Sequence, residues 1–163
     1  MSKDSEAVLQ LLGANEEQIL TEWLAEAGAA SSRIREAGRR AMRGEADDLL
    51  RSLREGLQAG GAPDDLQAAA WAPLRQSLES LSRSRAAQGQ SAGDTSMFVL
   101  AFKRPLFKSI QARFGSEAER QMAVVWAVST LVDGMAQWTG STYQRTREEI
   151  IKRQQQDLLE LST

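Results

Sequence analysis

The chain of 163 residues contains no histidine and no cysteine. Without cysteine there is no disulfide framework and no thiolate metal site, and without histidine there is no Ser-His-Asp triad and no His-ligated zinc or haem. Only tyrosine and methionine remain as common protein ligands for a haem iron. We therefore expect no haem, no other cofactor and no bound metal, and no enzymatic activity.

Long apolar runs and an excess of positive charge are also missing. The longest apolar run covers residues 122–128, far fewer than the roughly 20 residues that a membrane-spanning helix needs. The N-terminus shows no secretory signal. The formal net charge of -2 does not favour nucleic-acid binding, which normally requires a basic surplus. We expect a cytoplasmic protein that binds neither membranes nor nucleic acid.

Helix signals dominate what is present, and strand signals are nearly absent. Capping-box patterns at 15–18 and 116–119 mark helix starts, and apolar residues recur at spacings of three and four. Pro105 predicts a kink or break near 101–105, because proline lacks a backbone donor and crowds the preceding turn. No break follows between about 117 and 161. The sequence predicts an all-α fold of about six helices, the last one long and projecting.

A group of large side chains could form either a core or an interior pocket. Helical spacing favours core packing over a ligand pocket. Residues 122–132 are apolar nearly all round, which predicts a helix enclosed by others, with Trp126 near Phe102 and Leu106. The candidate set for the core or pocket is Phe98, Phe102, Leu106, Trp126 and Trp138.

The polar second half of the last helix carries a weak heptad pattern. A heptad-like seam at 124–138 becomes polar when its register is continued, and a neighbouring register beyond it is only partly apolar. That register contains Tyr143, Arg147, Ile150 or Ile151, Gln154, Leu158 and Leu161. One interpretation is a parallel homodimer that transmits a signal along this helix. The other is an ordinary solvated helix.

Three segments carry a family resemblance. They are Leu-Ser-Arg-Ser-Arg-Ala-Ala-Gln-Gly at 81–89, Phe-Val-Leu-Ala-Phe-Lys-Arg-Pro-Leu at 98–106, and the tail at 143–163. They resemble the N-terminal domain of RsbR-type stressosome co-antagonist proteins, especially the RsbRD-like branch. The resemblance implies a globin-like sensor domain over 1–138. It also implies a helical linker over 139–163, leading into a STAS domain that this chain lacks.

The resemblance also implies a function. The chain would be a non-enzymatic signal-input and dimerisation domain, relaying stress signals through its C-terminal helix to a STAS domain that controls a switch kinase. Its implied partners are a second copy of itself in a parallel homodimer, an RsbS-like scaffold and an RsbT-like kinase. The alternative is a helical sensor or carrier that holds a small apolar molecule in its interior.

Overall fold

A computed structural model describes residues 2–29 and 36–162, and the regular elements within these ranges are all helical. The all-α prediction is confirmed, and so is the long last helix, which has 45 residues. A short 3₁₀ turn at Ala69–Trp71 precedes the fourth helix. The α-helices are α1 (Lys3–Ala14), α2 (Glu16–Ala29), α3 (Glu36–Gln58), α4 (Ala72–Ala87), α5 (Ala92–Leu100), α6 (Lys103–Phe114) and α7 (Ala118–Ser162).

The break predicted near Pro105 separates α5 from α6. Helix α5 ends at Leu100 and α6 begins at Lys103, which places Pro105 in the first turn of α6. The missing amide hydrogen of proline is harmless there, because the first donors of a helix have no intrahelical partner. At the other end of α5, the Ser91 hydroxyl accepts from the Asp94 amide at 3.0 Å and caps the helix.

The first part of α7 lies in the core, where α1, α4, α5 and α6 pack against it. A stacked aromatic group joins two other helices near it. Trp23 of α2 stacks on Phe98 and Phe102, with ring centroids 5.2 and 4.2 Å away, and its indole nitrogen donates to the Phe98 carbonyl at 2.8 Å. These rings are almost completely buried, so they contribute strongly to the hydrophobic stabilisation of the fold.

A second tryptophan, Trp71, packs directly onto two glycines. A Cβ atom built on Gly56 would lie 2.3 Å from Trp71 Cε3, and one built on Gly61 would lie 2.5 Å from Cε2. The indole nitrogen donates to the Ala62 carbonyl at 2.9 Å. The ring therefore fixes the end of α3 against the start of α4, and only glycine leaves room for it at these two positions.

We expect Gly56→Ala to destabilise the protein by about 1–3 kcal/mol, because the added methyl group overpacks against the Trp71 ring. Gly44→Ala is the matched control: Gly44 lies in the same helix, and among the described residues a Cβ atom at this position would meet nothing within 4 Å beyond its own helix backbone and chain neighbours. That control should be neutral or stabilising by up to about 1 kcal/mol, since alanine is the better helix former. Urea unfolding of both variants measures the difference, and equal midpoints would contradict the close packing at Gly56.

Candidate functional site: the last helix and its exit from the core

The structure separates the five residues of the candidate core or pocket. Phe98, Phe102 and Leu106 are buried in one apolar cluster. Trp138 is half-buried at the surface of α7, where its indole nitrogen donates to Glu79 Oε1 at 3.1 Å. The guanidinium of Arg75 lies 5.8 Å from the Trp138 ring centroid. Trp138 therefore serves as a contact between α7 and α4.

The expectation that Trp126 lies at the centre of the core is wrong. Trp126 is 75% exposed, and Met122, one turn earlier on the same side of α7, is 68% exposed. Val124 and Val128 lie on the opposite side of the helix and are buried. An apolar pattern all round a helix identifies side chains that avoid water, but it does not identify which element covers each side. Here the neighbouring helices leave the Trp126 side uncovered.

Tyr143 was expected on the projecting segment and is instead buried. Its hydroxyl donates to the backbone carbonyl of Gln90, in the loop between α4 and α5. Thr139 and Thr142 are buried on the same part of α7, and the Ser82 hydroxyl of α4 donates to the Thr139 carbonyl at 2.8 Å. The packed part of α7 thus reaches Tyr143, because α4 and the 88–91 loop extend along it.

A buried arginine organises this exit point of α7. Arg85 is 7% exposed and donates to both carboxylate oxygens of Glu45, at 3.1 and 3.5 Å. It also donates to the Gln90 side chain at 3.2 Å, and its guanidinium lies 4.6 Å from the Phe98 ring centroid. Charge-assisted, bidentate contacts of this kind fix the relative orientation of the two side chains as well as stabilising the fold. With Tyr143, these residues form the exit junction, which links α3, α4, α5 and the 88–91 loop to α7.

Beyond Tyr143, α7 leaves the core and becomes solvent-exposed. The side chains from 144 to 162 are exposed, apart from a half-buried Thr146. Large apolar residues on this segment are uncovered, with exposed fractions between 40% and 84%. They are Ile150, Ile151, Leu158, Leu159 and Leu161. The candidate seam residues Arg147 and Gln154 are exposed with them.

A groove of about 1550 Å³ follows the exposed side of α7, between the 63–67 loop and α5. Small residues of α7 line it, among them Gly134, Gly140 and Ser141. Gly134 allows the 63–67 loop to approach closely, because a Cβ there would lie 2.8 Å from Leu66 Cδ1. The groove is a shallow surface on which another helix could lie, and it continues into the projecting segment.

Comparison with known proteins assigns the family. The family model for the N-terminal domain of the RsbT co-antagonist protein rsbRD matches residues 17–158. The chain belongs to this family. No curated protein and no solved structure matches the chain. The family resemblance is therefore confirmed, and the RsbRD match spans nearly all of α2 to most of α7, including the exit junction.

Within the described residues of this RsbRD N-terminal domain, no helix is both long enough and apolar enough to cross a membrane. Although α7 has the required length, its projecting part is rich in charged and amide side chains.

We expect Glu45→Gln to destabilise the RsbRD domain by about 1.5–3 kcal/mol, since the buried Arg85 loses its charged acceptor. Glu17→Gln is the matched control, because the Glu17–Arg43 ion pair is exposed on both sides. It should change the free energy of unfolding by less than about 1 kcal/mol. Denaturant unfolding of both variants measures this difference. Equal effects would show that the Arg85 network does not hold the junction.

Proposed function

We propose that this chain is the non-enzymatic signal-input and dimerisation domain of a stressosome co-antagonist in the cytoplasm. It relays a stress signal through α7 to a STAS domain, which acts with an RsbS-like scaffold on an RsbT-like switch kinase. Membership of the RsbRD family supports the co-antagonist role. The observation that carries the relay is the continuity of α7, which passes from the core to the projecting segment as one helix of 45 residues.

Exposed apolar residues on the projecting segment support a parallel homodimer. Ile151, Leu158 and Leu161 recur at spacings of seven and three, as in the seam of a two-stranded coiled coil. In a single copy these side chains are exposed to water. Pairing two copies would bury them, and burial of apolar surface is favourable. Gln154 lies between them in the same register, and a polar residue at such a position fixes the register at a cost in stability.

The exit junction supports a route for the signal. Gln90 contacts both Arg85 and Tyr143, so a displacement of the 88–91 loop would alter how α7 is held where it leaves the core. A coiled coil interrupted by polar residues has only a small difference in free energy between alternative arrangements of its two helices. A modest change in the core of the folded domain is then sufficient to shift the population from one arrangement to the other.

The alternative function, a holder of a small apolar molecule in the interior, has less support. The rings of Trp23, Phe98 and Phe102 stack on one another at the centre of the fold. This arrangement favours a packed core over a pocket at that place.

We expect the chain to be a dimer in solution, and both Ile151→Lys and Leu158→Lys to weaken it by placing a charge in the seam. Gln156→Lys is the matched control. It makes the same change in charge at a position about 140° round the helix from Ile151 and about 160° from Leu158. Sedimentation equilibrium across a range of concentrations measures the dimer dissociation constant of each variant. A wild-type chain that stays monomeric at high micromolar concentration would contradict dimerisation.

A further inference from the structure

Trp126 and Met122 form an exposed apolar pair on the part of α7 that packs in the folded domain. Trp126 is 75% exposed, whereas Trp23 and Trp71 are completely buried. Contiguous exposed apolar surface marks interaction sites on soluble proteins, and tryptophan is enriched among the residues that dominate interface energies. No contact within the described part of the fold explains why these two side chains are apolar.

Trp126 lies in the same register as the proposed seam of the projecting segment. Counting back from Leu161 in alternating steps of three and four reaches Trp126 without a phase change. The positions are Trp126, Thr130, Asp133, Gln137, Gly140, Gln144, Arg147, Ile151, Gln154, Leu158 and Leu161. Each of them is exposed or half-buried. A repeat of 3.5 residues is the one that keeps a helix in contact with a partner helix along a left-handed supercoil.

The surface between Trp126 and Ile151 can accept a second helix. The groove along this side of α7 presents Gly140, which has no side chain, and Ser141, which has a small one, so that two backbones can approach closely. Charged side chains line the edges of the groove. They are Asp64 and Asp65 on the 63–67 loop, and Asp133, Arg145 and Glu148 on α7, where Asp133 is paired with Lys103.

We propose that the dimer interface extends along the exposed face of α7 as far as Trp126, and that its occupant is α7 of a second copy. Trp126 and Met122 anchor the end of this interface that lies within the folded domain. The inference rests on the parallel homodimer of the proposed function, since only parallel pairing sets Trp126 opposite its own copy. From Trp126 to Leu161 the seam is about 50 Å long, at 1.5 Å per residue.

The test compares Trp126→Gln and Met122→Gln with Met97→Gln in the whole chain. Met97 is 54% exposed on α5 and lines a different cavity from the groove along α7, so its replacement controls for the loss of an exposed apolar side chain. Trp126→Gln should raise the dimer dissociation constant about thirtyfold or more, the effect of removing a dominant interface residue. Met122→Gln should raise it to a smaller extent, and Met97→Gln should leave it unchanged. Circular dichroism of each variant checks that the helices remain folded.

Trp126 fluorescence gives a second readout that does not depend on a disruptive variant. Subtracting the emission spectrum of Trp126→Phe from that of the wild type isolates the signal of Trp126. As the concentration rises through the dimerisation range, this emission should move to shorter wavelength. Quenching of the Trp126 emission by acrylamide should fall over the same range, because the ring leaves water.

The outcomes distinguish this inference from the proposed function. Should Ile151→Lys weaken the dimer while Trp126→Gln does not, and Trp126 emission stay solvent-like, the inference is overturned and the projecting seam stands. Should the Trp126 emission shift on association while Ile151→Lys has no effect, the contact at Trp126 stands and the seam of the projecting segment is overturned. A wild-type chain that remains monomeric, with constant Trp126 emission, overturns both.

Discussion

The continuity of α7 is the constraint on which the rest of the structure depends. Positive φ angles among the described residues occur only at Gly60 and Gly89, both outside this helix. A helix of 45 residues without a break cannot bend sharply around a core. The shorter helices α1, α4, α5 and α6 therefore pack along its first part and leave one side open. The direction in which the last part projects follows from that packing.

Polar contacts at the exit junction fix the rotation of α7 about its axis, which apolar packing alone does not. Hydrophobic burial is non-directional and tolerates small rotations of a helix about its axis. The Tyr143 hydroxyl donates to the Gln90 carbonyl, the Gln90 side chain accepts from Arg85, and Arg85 in turn donates to Glu45. Because a buried guanidinium without its acceptor is costly, this arrangement has few alternatives of similar energy. The junction thereby fixes the rotation of α7 at the point where the helix leaves the core.

Local signals in the sequence predicted the helices but not which side of each helix is covered. The break at Pro105 and the uninterrupted run after residue 117 depend on local chemistry, and both are found in the structure. Trp126 and Tyr143 were misplaced because their burial depends on neighbours distant in sequence. The predicted seam at 124–138 follows the buried face of α7, so the exposed register through Trp126 was missed. The globin-like topology and the domain boundary after residue 138 stay predictions.

A helical connection is what a relay over this distance requires. Residues 144–162 contain no glycine and no proline and span about 28 Å as a helix. A flexible linker would lose any rotation imposed at its start, because each residue would relax independently. In an α-helix every turn is hydrogen-bonded to the next, so a rotation imposed at Tyr143 moves Ile151 and Leu158 with it. The residues that hold α7 in the core and those proposed to pair two copies then respond as one rigid element.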